Sequence, residues 1–254
     1  MKKIIKYLFL LTGGSFILAS CNDFLDREPL DSVTPDNFFF TENDLAAYAV
    51  KHYNFTTHEG FNAGIWKNDN ATDNQAATDY DKKWIPGQWK VPEAYDNPAS
   101  NDPWYFSAIR EANYFLETVV PRFEKGEIEG SETNIKHYIG EMYFLRAKNY
   151  LSKLETFGDF PIIKNTLPDE SASLIQASKR EPRHKVARFI LEDLDLAIGL
   201  LTNTISGGKN RITQNAALLL KSRAALYEAS WLTYHRGTAL VPGGSGWPGK
   251  AEDI

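Results

Sequence analysis

Four stretches between Asn101 and Tyr234 repeat apolar residues every three or four positions, and each is closed by a chain breaker. That period marks helices with one buried face. In 103–124 the face is Ile109, Ala112, Asn113, Leu116 and Val120, behind Asn101-Asp102-Pro103 and up to Pro121. A polar cap followed by proline is a helix start. In 131–157 it is Tyr138, Glu141, Met142, Leu145, Ala147, Lys148 and Leu151. That helix ends at Phe157-Gly158-Asp159-Phe160-Pro161, where glycine suits a left-handed cap and proline blocks continuation. In 183–204, starting near Pro182, Val186, Phe189, Ile190, Leu194, Ile198 and Leu201 turn inward until Ser206-Gly207-Gly208. Thr213 caps the fourth helix, 212–234, whose Ala216, Ala217, Ala224, Ala225 and Ala229 permit close helix packing. A shorter helix follows Thr41, with Leu45, Tyr48, Ala49 and His52 at helix spacing. Residues 161–180 read as an extended connection, and the tail from Gly237 to Ile254 is rich in Gly and Pro.

The helices group as two pairs, 103–124 with 131–157 and 183–204 with 212–234. Paired helices of this length resemble tetratricopeptide-type units. The expected fold class is therefore mostly α, an α-solenoid of tetratricopeptide-like helix pairs carrying a long irregular loop-rich insertion over 56–101. The insertion holds Gly60, Gly64, Gly87, Pro86, Pro92 and Pro98 and shows no helical period. Loops this long in compact proteins are usually functional. Within it Trp66, Trp84 and Trp89 stand among Asn68, Asp69, Asn70, Asp73 and Asn74. Flat rings stack on pyranose faces, and amides and carboxylates bond hydroxyls, so Trp66, Trp84, Trp89, Asp73 and Asn74 are candidate ligand-binding residues. The competing reading is that the tryptophans pin the loop to the helices.

The first thirty residues concern address rather than fold. Lys2, Lys3 and Lys6 precede apolar residues Ile4 to Leu11 and Phe16 to Leu18, and then Leu18-Ala19-Ser20-Cys21. This is a secretory signal whose cleavage site holds a lipoprotein box. A membrane span needs ~20 apolar residues, and Thr12-Gly13-Gly14-Ser15 interrupts this run. The expected layout is a signal peptide over 1–20, a lipid anchor on Cys21 with a tether to residue 40, and a helical domain over 41–254. Two or three acyl chains on one residue anchor stably.

Composition narrows the functions. Cys21 is the one cysteine of 254 residues, which leaves no disulfide framework and no thiolate metal site. Without residues 1–20 the chain carries 25 basic against 33 acidic residues, a net of −8. No basic stripe points to nucleic acid. Aromatics make up 13%, which core packing and sugar stacking both accommodate. Asn68-Asp69-Asn70 and Asp79-Tyr80-Asp81 lack EF-hand spacing and read as solvated loop. Glu192, Asp193 and Asp195 read as a solvated face rather than as a glycosidase pair. His52, His58, His137, His184 and His235 show no metal spacing, and neither a nucleophile elbow nor a P-loop is present. No catalytic residue, metal or cofactor is expected.

Several blocks resemble one family in order. They are Cys21-Asn22-Asp23-Phe24-Leu25-Asp26 with Pro29, then Ile109-Arg110-Glu111-Ala112-Asn113 with Phe115-Leu116-Glu117. Next come Gly140-Glu141, Phe144-Leu145-Arg146-Ala147, Tyr150 and Phe157 to Ile163. Arg180-Glu181-Pro182-Arg183 with Ile190 to Ala197, and Arg211-Ile212-Thr213 with Ala216 to Ser230, complete the series. Together they resemble the SusD/RagB family of nutrient-binding lipoproteins. The resemblance implies a surface lipoprotein of a Bacteroidetes-type outer membrane that captures oligosaccharides, or in some members peptides. It also implies a lid position on a SusC-type TonB-dependent β-barrel transporter, and no catalysis. The alternatives are a helical-repeat scaffold or adhesin that binds protein, and a surface glycosidase. Arg146 is expected to be structural, pairing with an acid such as Glu141 or with loop carbonyls. Asp31-Ser32-Val33 resembles the short O-glycosylation acceptor of such bacteria. The resemblance covers the N-terminal half of the family pattern, so the chain is expected to be incomplete or truncated. A helical array without its capping repeat is expected to leave an apolar face exposed.

Lipidation at Cys21 has a direct consequence. Cys21→Ser should abolish incorporation of labelled palmitate and move the full-length protein from the membrane to the soluble fraction. Retention of label in that variant would remove the anchor from the reading.

Overall fold

The computed structural model describes residues 38–55, 85, 104–204 and 210–250. It divides into two compact units, Met1–Phe39 and Phe40–Ile254. In the first, only Phe38 and Phe39 are described, with their rings edge to face at 5.0 Å. The second contains six helices and no strand among the described residues: α1 (Glu42–Lys51), α2 (Ser107–Glu124), α3 (Glu132–Phe157), α4 (Ser171–Ala177), α5 (Arg183–Leu200) and α6 (Gln214–Tyr234). No described helix is long and apolar enough to cross a membrane.

Four of the six helices begin where a side chain supplies an acceptor for an amide at their start. Thr41 caps α1 in a capping box with Asp44, whose carboxylate accepts from the Thr41 amide at 3.0 Å. Ser131 precedes α3 but makes no side-chain cap. Glu42 supplies the acceptor instead, taking the Ser131 amide on Oε2 at 2.7 Å and so tying α1 to the start of α3. Asp159 does the same for α5, accepting from the Arg183 amide at 2.8 Å. Thr213 caps α6 by accepting from the Ala216 amide at 3.2 Å. At the C-terminus of α3, Gly158 has φ +73°, which only glycine adopts without strain.

The 26-residue α3 is the hub. It packs against α1, α2 and α5, and α5 packs in turn against α6. With neighbours on several sides, α3 buries residues around most of its circumference, among them Tyr138, Ile139, Met142, Leu145, Tyr150 and Leu154. A helix apolar on all sides is a buried one. Where the end of α5 crosses it, Gly140 permits a close approach, since a Cβ there would stand 3.0 Å from Leu201 Cγ and the leucine would have to shift. Tyr150 is fully buried, and its hydroxyl accepts from the Ile163 amide at 2.8 Å, while burial pushes the phenol up to about 12. The last helix differs. Only Ala217, Ala224 and Glu228 of α6 are buried, and Leu219 (73%), Leu226 (69%) and Tyr234 (85%) lie exposed.

Three expectations need correction. The second helix starts at Ser107 rather than at residue 103, because Trp104–Phe106 follow the aromatic cluster described below instead of the helix axis. Residues 161–180 are not wholly extended, since α4 occupies Ser171–Ala177. It buries no residue, so its apolar positions carry no periodic signal. Asp193 does not belong to a solvated face. It is 2% exposed and receives both Nε and Nη2 of Arg146 at 2.8 Å.

Arg146 is structural as expected, but its acid is Asp193 rather than Glu141. Its Nη1 donates to Asn113 Oδ1 at 2.8 Å and to the loop carbonyl of Lys164 at 3.3 Å. Burial raises the Asp193 carboxyl above its ordinary range, a larger effect than the lowering by Arg146. The pair thus costs desolvation that its own attraction does not fully offset. Removing one partner is worse, because it strands a buried charge. Arg146→Met should destabilise the fold by about 3–5 kcal/mol, and Arg146→Met with Asp193→Leu should recover most of that loss. Chemical denaturation of the three proteins measures this, and a double variant no more stable than Arg146→Met would contradict it.

Candidate ligand-binding site

The described residues on either side of the insertion run to Phe55 and resume at Trp104, and these two segments are its roots. The outgoing root is held by buried charge. Tyr53 Oη donates to Glu141 Oε1 at 2.6 Å and accepts from the Ile212 amide at 3.0 Å. Arg211 grips the same carboxylate with Nε at 2.9 Å and Nη2 at 2.5 Å, and its guanidinium lies 4.7 Å from the Tyr138 ring centre. His137 Nε2 stands 3.2 Å from Glu141 Oε1, while its Nδ1 accepts from the Thr202 amide, which places the ring proton on Nε2. Burial, then the Glu141 charge, pushes the Tyr53 phenol well above its usual value. The returning root is aromatic. Trp104 lies on Phe157 at 4.0 Å and stacks with Phe160 at 5.7 Å, and Phe106 stacks with Phe160 at 5.1 Å. Arg180 sits 4.9 Å from the Trp104 ring centre.

Two cavities flank these roots. The first, of about 350 Å³, is apolar, with Trp104, Phe106, Ile109, Pro161, Ile163 and Leu174 in its walls. Asn113 reaches it but is already satisfied by Arg146 and by the carbonyls of Ile163 and Asn165. The second is a polar groove of about 300 Å³ between the roots. Its walls combine Asn54 and Tyr105 from the roots, Glu111 from α2, and Lys148, Asn149 and Lys153 from α3. Tyr105 is 37% exposed. Lys148 donates to the Asn54 carbonyl at 3.2 Å and lies 5.4 Å from the Phe55 ring centre. An aromatic ring beside amides and charged groups is the chemistry that holds a polyhydroxylated ligand, and the groove supplies it where the apolar cavity does not.

His52 closes one side of the groove. Its Nδ1 meets Glu111 Oε2 at 3.1 Å, and its ring tilts on Tyr48 at 4.6 Å. Burial lowers its pKa from 6.5, Lys51 adds to the lowering, and Glu111 opposes both.

The residues singled out in the insertion, Trp66, Trp84, Trp89, Asp73 and Asn74, lie outside the described residues, as do Cys21, Ser32, 101–103 and 206–208. The frame nonetheless adds site residues that periodicity does not isolate. Lys148, Asn149 and Lys153 are half-buried polar positions on a helix that is otherwise largely buried. That mismatch between residue type and surroundings is the signal they carry in the sequence. Among the described residues no group of His, Cys, Asp and Glu is placed to hold a metal.

Because His52 binds its proton less readily folded than unfolded, acidification through about pH 6.5 favours the unfolded chain and native stability falls. His52→Gln removes that contribution. The stability difference between wild type and His52→Gln should therefore shift against the wild type between about pH 7 and pH 5. Urea unfolding across that range tests it, and a pH-independent difference would refute it.

Comparison with known proteins gives one consistent answer. The SusD-like family model described as "Starch-binding associating with outer membrane" matches residues 23–226. SusD-like protein P2 of Formosa agariphila is 26% identical over 219 residues, which cover 84% of this chain and 40% of that protein. SusD-like protein P25 of the same organism is 23% identical over 243 residues, covering 91% and 44%. A SusD-like protein crystal structure from Bacteroides fragilis superposes with a TM-score of 0.59 at 25% identity, over 81% of this chain and 39% of its own. The chain thus spans less than half the length of the curated relatives it matches. With most of its length matched by the family model and its helical frame shared with a solved member, the chain belongs to the SusD-like family.

Proposed function

We propose that this protein is a surface lipoprotein that binds glycans and passes them to a SusC-type TonB-dependent outer-membrane transporter, without catalysis. The observation that carries the reading is the family match over residues 23–226, whose description joins starch binding to the outer membrane. The groove supports it independently. Tyr105, Asn54 and Asn149 line the groove with a ring and amides, and the sequence between Phe55 and Trp104 contains the candidate ligand-binding residues Trp66, Trp84, Trp89, Asp73 and Asn74. In this reading residues 1–20 are the signal peptide, Cys21 carries the lipid, 21–40 is the tether, and 41–254 is the helical domain with its insertion over 56–101. The protein is then held at the cell outer membrane and faces outward.

A second reading draws on α6. Its exposed Leu219, Leu226 and Tyr234 form the kind of apolar face that a protein contact covers, which suits a scaffold or adhesin. One purification separates the two. The native lipoprotein taken from detergent-solubilised outer membrane should bring a large TonB-dependent barrel with it, identified by mass spectrometry. Association with other proteins and no barrel would favour the scaffold. Glycan capture has its own test in the full-length protein. Trp84→Ala with Trp89→Ala should weaken binding to soluble starch, or to whichever glycan the wild type retains, by at least about tenfold. Unchanged affinity would remove the tryptophans from the site.

A further inference from the structure

We propose that the groove between the roots of the insertion is a cation-lined subsite for an anionic group, a carboxylate or a sulfate ester, carried on a saccharide. The saccharide half rests on the glycan-capture reading, and the anionic half rests on the charge of the groove itself. The chain as a whole is acidic, at −5. The groove runs against that balance, with Lys51, Lys148 and Lys153 in its walls and Glu111 as the one carboxylate. Glu111 is already engaged by His52 at 3.1 Å.

Lys148 is the key residue. It is half-buried, its contacts among the described residues are the Asn54 carbonyl and the Phe55 ring, and neither cancels its charge. Burial accordingly holds the Lys148 ammonium below its ordinary range. A cation kept partly dry beside an open cavity gains from an anion that a neutral sugar does not provide. The α2 helix adds to the same field. Ser107 and Ala108 of its first turn line the groove, the helix has no side-chain cap, and its first turn contains no acid. Tyr105 then offers a ring to the sugar that carries the anion, and Asn149, whose Nδ2 donates to the Leu145 carbonyl at 2.8 Å, offers its Oδ1 as an acceptor. The cavity, about 300 Å³, lies at the lower end of small-molecule pockets and suits the terminal or side-branch residue of a chain.

Isothermal titration of the full-length protein tests this with four probes: an oligogalacturonate, a sulfated galacto-oligosaccharide, their neutral galacto-oligosaccharide counterpart, and sodium sulfate. The expected result is that one acidic oligosaccharide binds at least about tenfold tighter than the neutral one, and that Lys148→Met removes this preference without removing residual binding. Lys153→Gln should reduce the same preference and stands in if Lys148→Met does not fold. Sodium sulfate binding as tightly as the acidic sugars would make the groove a site for free anions and overturn the saccharide half. Acidic and neutral sugars binding alike, or neutral sugars alone binding, would overturn the anionic half and leave glycan capture standing. No binding of any sugar would count against both.

Discussion

Glu141 is completely buried, and the geometry around the outgoing root of the insertion depends on it. A carboxylate taken out of water is costly unless several donors compensate it. Here two donors hold it, Tyr53 beyond α1 and Arg211 before α6, while the Ile212 amide donates to the Tyr53 hydroxyl and His137 Nε2 stands 3.2 Å from Oε1. Each must be present for the charge to be tolerated, so the carboxylate forces these segments into one arrangement. The consequence for function is positional. Tyr53 is two residues from the end of the described outgoing root, so the point where the insertion departs is set by a buried ionic network and not by the insertion itself.

Further along α3 the device is repeated with different residues. Arg146 joins α3 to α5 through Asp193 and to α2 through Asn113, and it reaches the 161–170 connection through the Lys164 carbonyl. Arg183 joins α5 to α6 through Glu228, with its guanidinium 4.0 Å from the Trp231 ring centre. Apolar burial drives these helices together, but apolar faces alone tolerate sliding by a turn. A bidentate pair between an arginine and a carboxylate does not. The helices therefore meet in one register, which the walls of the groove require, because Glu111, Lys148 and Tyr105 come from separate segments.

Much of this frame is legible in the sequence. The period of the apolar residues places α1, α3, α5 and α6 close to their observed limits, and Thr41, Gly158 and Thr213 mark ends that the structure uses as caps. The failures share one cause. Helix α4 has no buried face, so nothing imposes a pattern on it. Asp193 lies between Glu192 and Leu194 and looks like surface, because a charged residue in a helix is usually solvated. Only its partner, 47 residues away, makes it interior. The sequence offers Arg146 an acid such as Glu141 on its own helix, whereas Glu141 pairs with Arg211, 70 residues away. Long-range pairing of charges leaves no local trace. The groove is hidden for the same reason, being assembled from 51–54, 105–112 and 142–153.

The division of labour that results is asymmetric. The frame is over-determined: α3 is buried around most of its circumference, its buried polar residues are cross-linked, and Gly140 lies close against Leu200 and Leu201. The groove is not. Tyr105, Lys148, Asn149 and Lys153 keep partial exposure, and Lys148 and Tyr105 take no part in the two ionic networks that hold the helices. Substitutions there change charge and ring area at little cost to the core, whereas substitutions at Glu141 or Asp193 strand a buried charge. On the proposed reading, such a scaffold can alter what it recognises while keeping how it folds. The separation is physical: the groove is lined by half-buried residues that stay partly open to solvent, whereas stability resides in fully buried residues whose partners are each other.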